Sequence, residues 1–192
     1  MPHPNDAALE FLLTRRSCPA KTLRKPVPSR AELLPILKAA ARTPDHGKLV
    51  PWRFVVLESQ ALERLADLAQ ARAPHLEIDP DKIPKGVAQF RDADLVVAVV
   101  SAPTPSSKVP HIEQLYSAGA ACLALVNAAL ASGWGANWLS GWASHDPEFV
   151  RTGLCLSDSE NVVGLVVIGT ETSKPPERPR PDVDEITTWM ET

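Results

Sequence analysis

Four short polar clusters carry the side chains best suited to chemistry. In "TRRSCPAK", Arg15, Arg16 and Ser17 follow an apolar N-terminal segment. Two guanidinium forks and a hydroxyl form a donor set that a phosphate takes well. Basic residues at a helix C-terminus also answer the macrodipole without any ligand. In "KPPERPRP", prolines stiffen the backbone that presents Arg178 and Arg180, either toward a shared target or as a solvated basic tail. The third cluster, "RTPDHGKLVPW", holds Arg42 and His46 in a loop between a helix and an apolar run. The fourth, "NWLSGW", sets Trp138, Leu139 and Ser140 beside a glycine. That suits the edge of a flat ligand, and core filling is the alternative for the two tryptophans.

Other chemistries find no support. The chain has no GxGxxG, P-loop, GxSxG or HExxH motif and no paired His/Cys ligand set, so neither a dinucleotide fold nor a metal site is indicated. Three cysteines without a CxxC do not make a disulfide framework. Cys122 and Cys155 read as small core residues. Cys18 follows two arginines able to lower a thiol pKa; a small side chain packed beside a basic pocket is the other reading. The 192 residues suffice for one substantial domain, 1–192. With 44% hydrophobic and 22% charged residues and a net charge of −3, nothing points to nucleic acid. The N-terminus lacks the basic segment of a signal peptide, which implies a reduced, cytoplasmic setting.

The elements that must position these clusters follow from spacing and caps. Asn5 or Asp6 caps a helix running to about Thr14. Ser29 and Glu32 form a capping box for a helix ending near Thr43, in which Pro35 is tolerated only within the first turns. Residues 53–58 read as a short buried strand, Gln60 to Arg72 as an amphipathic helix, and 95–101 as a β-branched buried strand. Several prolines make 73–92 a mobile excursion with a helical turn or two. From Gln114 to His145 there is no charged Asp, Glu, Lys or Arg, so the helix over 111–132 is buried on all sides, partly by a second subunit. Its alanines and its Gln114, Ser117 and Asn127 argue against a membrane span. A glycine-hinged turn into a short strand in "GWGANWLSG", a short helix capped by Asp146 and a buried strand "NVVGLVVIGT" complete an α/β or α+β chain. The tail is too proline-rich for a helix before its last third.

The ordered set of motifs resembles the flavin-dependent nitroreductase family. The likeness rests on "RRS" after the first helix, "ARTPDHGKLVPWRFVV", the "EQLYSAGAACLALVNAALASGWGANWLSG" helix and turn, and "VVGLVVIGT" before a basic proline-rich tail. Within that family the YdjA-like branch is most similar, with its "RAPDH…PW" loop and "SAG" helix. The resemblance implies an α+β fold with a central, mostly antiparallel sheet flanked by helices. It also implies an intertwined homodimer binding two FMN molecules at its interface, and a C-terminal extension over 171–192. By the same likeness Arg15, Arg16 and Ser17 would hold the FMN phosphate and ribityl, joined by Arg178 or Arg180. Arg42 and His46 would reach the flavin bound by the partner subunit, with Trp52 anchoring their loop. Trp138, Leu139 and Ser140 would line the flavin.

Two positions depart from the family. A lysine two residues after the serine is replaced by Pro19, and the branch's frequent arginine is replaced by Leu139. Both changes remove positive charge that would stabilise a reduced, anionic flavin. The implied reaction is ping-pong: NAD(P)H reduces the flavin, and a small acceptor such as a nitroaromatic or quinone takes the electrons. No catalytic side chain is required, and flavin contact is a simpler role for His46 than proton donation. The competing readings are an FMN carrier or sensor with little turnover, a flavin-fragmenting enzyme, and a dimeric interaction protein with vestigial basic clusters.

Overall fold

Strand β3 (Leu95–Ser101) is buried at every one of its seven positions, so both faces of the sheet are covered. The computed structural model describes residues 3–190. β3 lies between β2 (Trp52–Glu58) and β5 (Asn161–Glu171), antiparallel to each. On its other side β5 pairs antiparallel with β4 (Gly135–Leu139) and, near its end, with the two-residue β1 (Leu23–Arg24). The alternation of β3 sorts the core into two layers. Val96, Ala98 and Val100 face α3 (Ser59–Arg72), α4 (Ile83–Arg91) and α7 (Pro147–Leu154). Leu95, Val97 and Val99 face α2 (Arg30–Ala40) and α5 (His111–Ala131). The class is therefore α+β, an antiparallel sheet between helical layers.

Local signals explain most element ends. Asn5 accepts from the Ala8 N–H and starts α1 (Asp6–Thr14). The Ser29–Glu32 capping box is closed in both directions. Pro35 nevertheless sits in the second turn of α2, past the N–H groups that need no helical partner, so one helical bond is absent there. α2 ends at Ala40 rather than near Thr43. Asp146 separates the short α6 (Trp142–His145) from α7 and caps α7 through the Phe149 N–H at 3.1 Å. Its carboxylate also takes two bonds from Arg72, at 2.8 and 3.0 Å.

Three expectations are corrected. Residues 73–92 are not a mobile excursion: they form two short 3-10 turns and α4, whose Phe90 is buried against Phe149 with ring centroids 5.3 Å apart. Pro74, Pro80 and Pro84 each occupy a first or second helical position, where a missing N–H costs nothing. Cys155 is exposed, not core, because it leaves α7 in the left-handed conformation (φ 55°) between the buried Leu154 and Leu156. The tail holds no helix among its described residues, and Val183, Ile186, Trp189 and Met190 stand exposed.

The long α5 has the length and hydropathy of a membrane span. Ala118, Ala121, Cys122, Leu125 and Ala129 are fully buried, however, which makes one face of it a core helix. Its other face, with Ile112, Leu115, Tyr116 and Leu123, is open in the single chain, as are Leu9, Leu12 and Leu13 of α1.

Candidate functional site

The chain leaves α1 through Arg15, whose N–H closes the helix onto Phe11 and whose Nη2 donates to Ser17 Oγ at 2.8 Å. The next residue is tied to β4: Cys18 N–H donates to the Ala136 carbonyl at 3.0 Å, and Asn137 Nδ2 donates to the Cys18 carbonyl. Gly135 permits this approach, since a Cβ there would lie 2.4 Å from Leu23 Cδ2. Arg16 Nε donates to the Pro176 carbonyl at 3.3 Å, and Thr172 bonds to the Thr22 carbonyl through its N–H and its hydroxyl. The tail thus lies along the segment after α1. Arg180, paired with Glu177 at 2.8 Å, comes near enough to act on Arg15. Burial, then Arg180, then Arg16 lowers the Arg15 pKa. Arg15 Nε is buried without a partner. Arg178 is exposed, and its backbone N–H donates to the Glu177 carboxylate.

Cys18 does not become a thiolate here. Burial, followed by a hydrogen bond to the Glu171 carboxylate, pushes its thiol up to about 11, outweighing Arg16. It is a buried packing residue.

At the end of β4, Trp138 leans over Gly164: a Cβ on that glycine would lie 1.9 Å from the indole Nε1. Trp138 keeps 39% of its surface exposed, and Ser140 is exposed beyond it. Leu139 packs on the core and lines a pocket of about 190 Å³ with Ala20, Lys21, Lys85 and Gln89. Gln89 Nε2 is buried and unpartnered, and its Oε1 would lie 3.3 Å from a Cβ on Gly141. Lys21, Lys85 and Gln89 escaped the sequence reading. Their signal is the i, i+4 spacing of Lys85 and Gln89, visible only once 83–91 is known to be helical.

Arg42 and His46 lie elsewhere. Their loop leads into Trp52, which is in register with Ser101 and, through it, Asn161. The arginine segment is tied instead to Ala136, in register with Ile168. The seven steps of strand from 161 to 168 span roughly 23 Å. The loop is fixed by a relay in which Trp52 Nε1 donates to Ser117 Oγ (3.1 Å) and Ser117 donates to the Pro44 carbonyl (2.8 Å). His46 Nδ1 is 2.6 Å from Glu113 Oε2, and Arg42 is exposed. One chain therefore brings the Arg15 cluster and the tail with Arg180 to one end of the sheet, sets the β4 end midway with Leu139 beside Ala20 and Lys21, and leaves Arg42 and His46 at the other end.

Three larger pockets sit away from all four clusters, one of them, about 410 Å³, between α3 and α4 and lined by Gln70, Ile83, Val87 and Arg91. A second of about 520 Å³ is lined by Leu33, Leu34, Leu37 and Val56; a third of about 360 Å³ is lined by Ser144, Arg151, Ser157 and Glu160. Their size alone does not make them the reactive site, since none of the three gathers the cations.

A model of the nitroreductase family matches residues 12–170. The chain is 38% identical over 164 residues to the "Putative NAD(P)H nitroreductase YdjA" of Escherichia coli K12, covering 85% of this chain and 87% of the relative. In fold it is similar to a nitroreductase-like family protein from Bacillus cereus, with TM-score 0.81, 19% identity and coverage of 100% and 99% of the two chains. It is also similar to a "putative nitroreductase in complex with FMN" from Desulfovibrio desulfuricans, with TM-score 0.73, 19% identity and coverage of 99% and 98%.

Proposed function

The chain belongs to the nitroreductase family, and from that premise we propose that it is an FMN-dependent oxidoreductase. It uses NAD(P)H to reduce nitroaromatics, quinones or similar small acceptors in a ping-pong cycle. The observation that carries this is the buried, unpartnered Nε of Arg15, beside Arg16 and the tail that carries Arg180, whose charges both lower its pKa. Glu177 already answers Arg180 there, and Arg15 Nε is the donor left for a further anion; FMN brings a phosphate. Bound FMN would supply the two-electron centre between donor and acceptor.

The protein's part is binding and electrostatics. Arg15, Arg16, Ser17 and Arg180 would hold the phosphate and ribityl, with Arg178 at the rim. Trp138, Leu139 and Ser140 would line the ring. Lys21 and Lys85, with Asp92 offsetting one of them, leave the pocket beside Leu139 a net positive charge where Pro19 and Leu139 supply none, and Gln89 offers its free amide N–H beside them. Arg42 and His46, at the far end of the sheet, would serve the flavin held by a second copy.

A homodimer follows from that division. The open apolar faces of α1 and α5 and the exposed apolar residues of the tail are the surfaces it would cover. We read the whole chain as one FMN-binding domain with an extension over 171–192, acting in the cytoplasm.

The test is an absorption spectrum of the purified protein supplied with FMN, before and after NADPH. A bound flavin that bleaches and recovers its colour with a quinone is expected. No bound flavin in excess FMN overturns the reading; bound flavin that NADPH cannot bleach reduces it to a carrier. Intact FMN after aerobic turnover excludes the flavin-fragmenting reaction.

A further inference from the structure

The loop that carries His46 is held in a costly shape. Gly47, Lys48 and Val50 have φ of 77°, 55° and 48°, and a β-branched residue pays most for that conformation. Asp45 Oδ2 accepts from the Val50 N–H at 3.0 Å, and a Cβ on Gly47 would press on Val109. The remaining ties run to the first two turns of α5: Ser117 holds the Pro44 carbonyl, and Glu113 meets His46. The Ser117 relay is buried and serves packing. The His46–Glu113 pair is not buried, with side chains 60% and 42% exposed. An exposed pair adds little to stability. Its consequence is orientation.

We infer that Glu113 is the positioning residue for His46. An ionised carboxylate only accepts, so Nδ1 must donate to Oε2, which fixes the proton on Nδ1 and leaves Nε2 as the ring nitrogen offered to a ligand. Strained backbone and a set ring orientation together present one nitrogen in one direction. This rests on the FMN reading for the identity of that ligand, a flavin held by a second copy, but the tautomer itself does not depend on it.

Nitrogen-detected NMR of histidine-labelled protein, with and without FMN, tests it. The spectra are taken about two pH units above the ordinary imidazole value of about 6.5, and His46→Gln assigns the signal among the five histidines. The wild type should carry its proton on Nδ1. Glu113→Gln, whose amide oxygen still accepts, should keep it, and Glu113→Ala should lose it, with FMN affinity falling about threefold. The same proton site in Glu113→Ala as in the wild type overturns the role of Glu113. If FMN binds without moving the His46 Nε2 resonance, the flavin contact fails while the Nδ1 result still decides the positioning.

Discussion

Arg16 Nε donates to the Pro176 carbonyl at 3.3 Å, a bond between residues 160 apart in the chain. Together with the two bonds from Thr172 to Thr22, it lays the proline-rich tail against the segment that leaves α1. Arg180 reaches Arg15 only because of this fold-back. The proposed anion site therefore has two halves, one from each end of the sequence.

Each half should contribute to binding. Arg15→Ala and Arg180→Ala should each weaken FMN by about ten- to a hundredfold, the range for a charge-assisted hydrogen bond of about 1.5–3 kcal/mol. Fluorescence titration of FMN measures it. Without FMN, Arg180→Ala should not destabilise the protein, because it relieves repulsion on Arg15. Unchanged affinity in both variants removes the site.

Lys85→Met should lower the potential of bound flavin while leaving its phosphate contacts intact. One exposed cation contributes at most about 1 kcal/mol, which for a two-electron couple is roughly 20 mV. Equilibration with a reference dye reads the shift. A potential equal to that of the wild type would show that the pocket beside Leu139 does not face the flavin.

Asp146 joins two tasks in one buried carboxylate. It caps α7 and receives two bonds from Arg72, the cause of its lowered pKa. Asp146→Ala should cost about 3 kcal/mol, since it leaves a guanidinium unpaired and a helix uncapped. Asp146→Asn keeps an acceptor for the cap and should cost less. Urea unfolding of the two variants gives the order.

Glu160 sets an acid limit. Bonds from Arg53 at 2.5 and 3.0 Å, with the Ser157 N–H, hold its pKa down to about 2 from an ordinary 4.5. A depressed carboxylate stabilises the fold above its unfolded pKa and loses that contribution as pH falls through the folded one. Wild type should thus exceed Arg53→Gln by about 1 kcal/mol above pH 4.5. The gap should close as the pH approaches 2. A gap independent of pH would assign the difference to packing of the Arg53 stem.

Much of this architecture was legible from local chemistry. The β-branched run of β3 reads as a buried strand because both of its faces are covered, and Ser29 with Glu32 announces α2. The open face of α5 agrees with a helix too apolar for one chain to cover. What failed was context. Prolines at 74, 80 and 84 look like breakers until their place at helix starts is known. Cys155 reads as core from its neighbours, because a left-handed residue turned outward leaves no trace in composition. Arginines 15 and 180 declare a taste for phosphate, but their meeting depends on a tail path that no local pattern encodes. Lys85 stayed hidden with the helix that carries it.

Strand β5 pairs with β1, β3 and β4, yet among the described residues it is the last strand along the chain. Before residues 161–171 are made, β2 and β3 can pair, but β1 and β4 have nothing to join and the apolar β3 waits with one edge bare. The sheet closes only once β5 arrives, through contacts distant in sequence that form slowly. During that interval the newborn polypeptide is open to sticking to its neighbours, which makes it a natural client for chaperones.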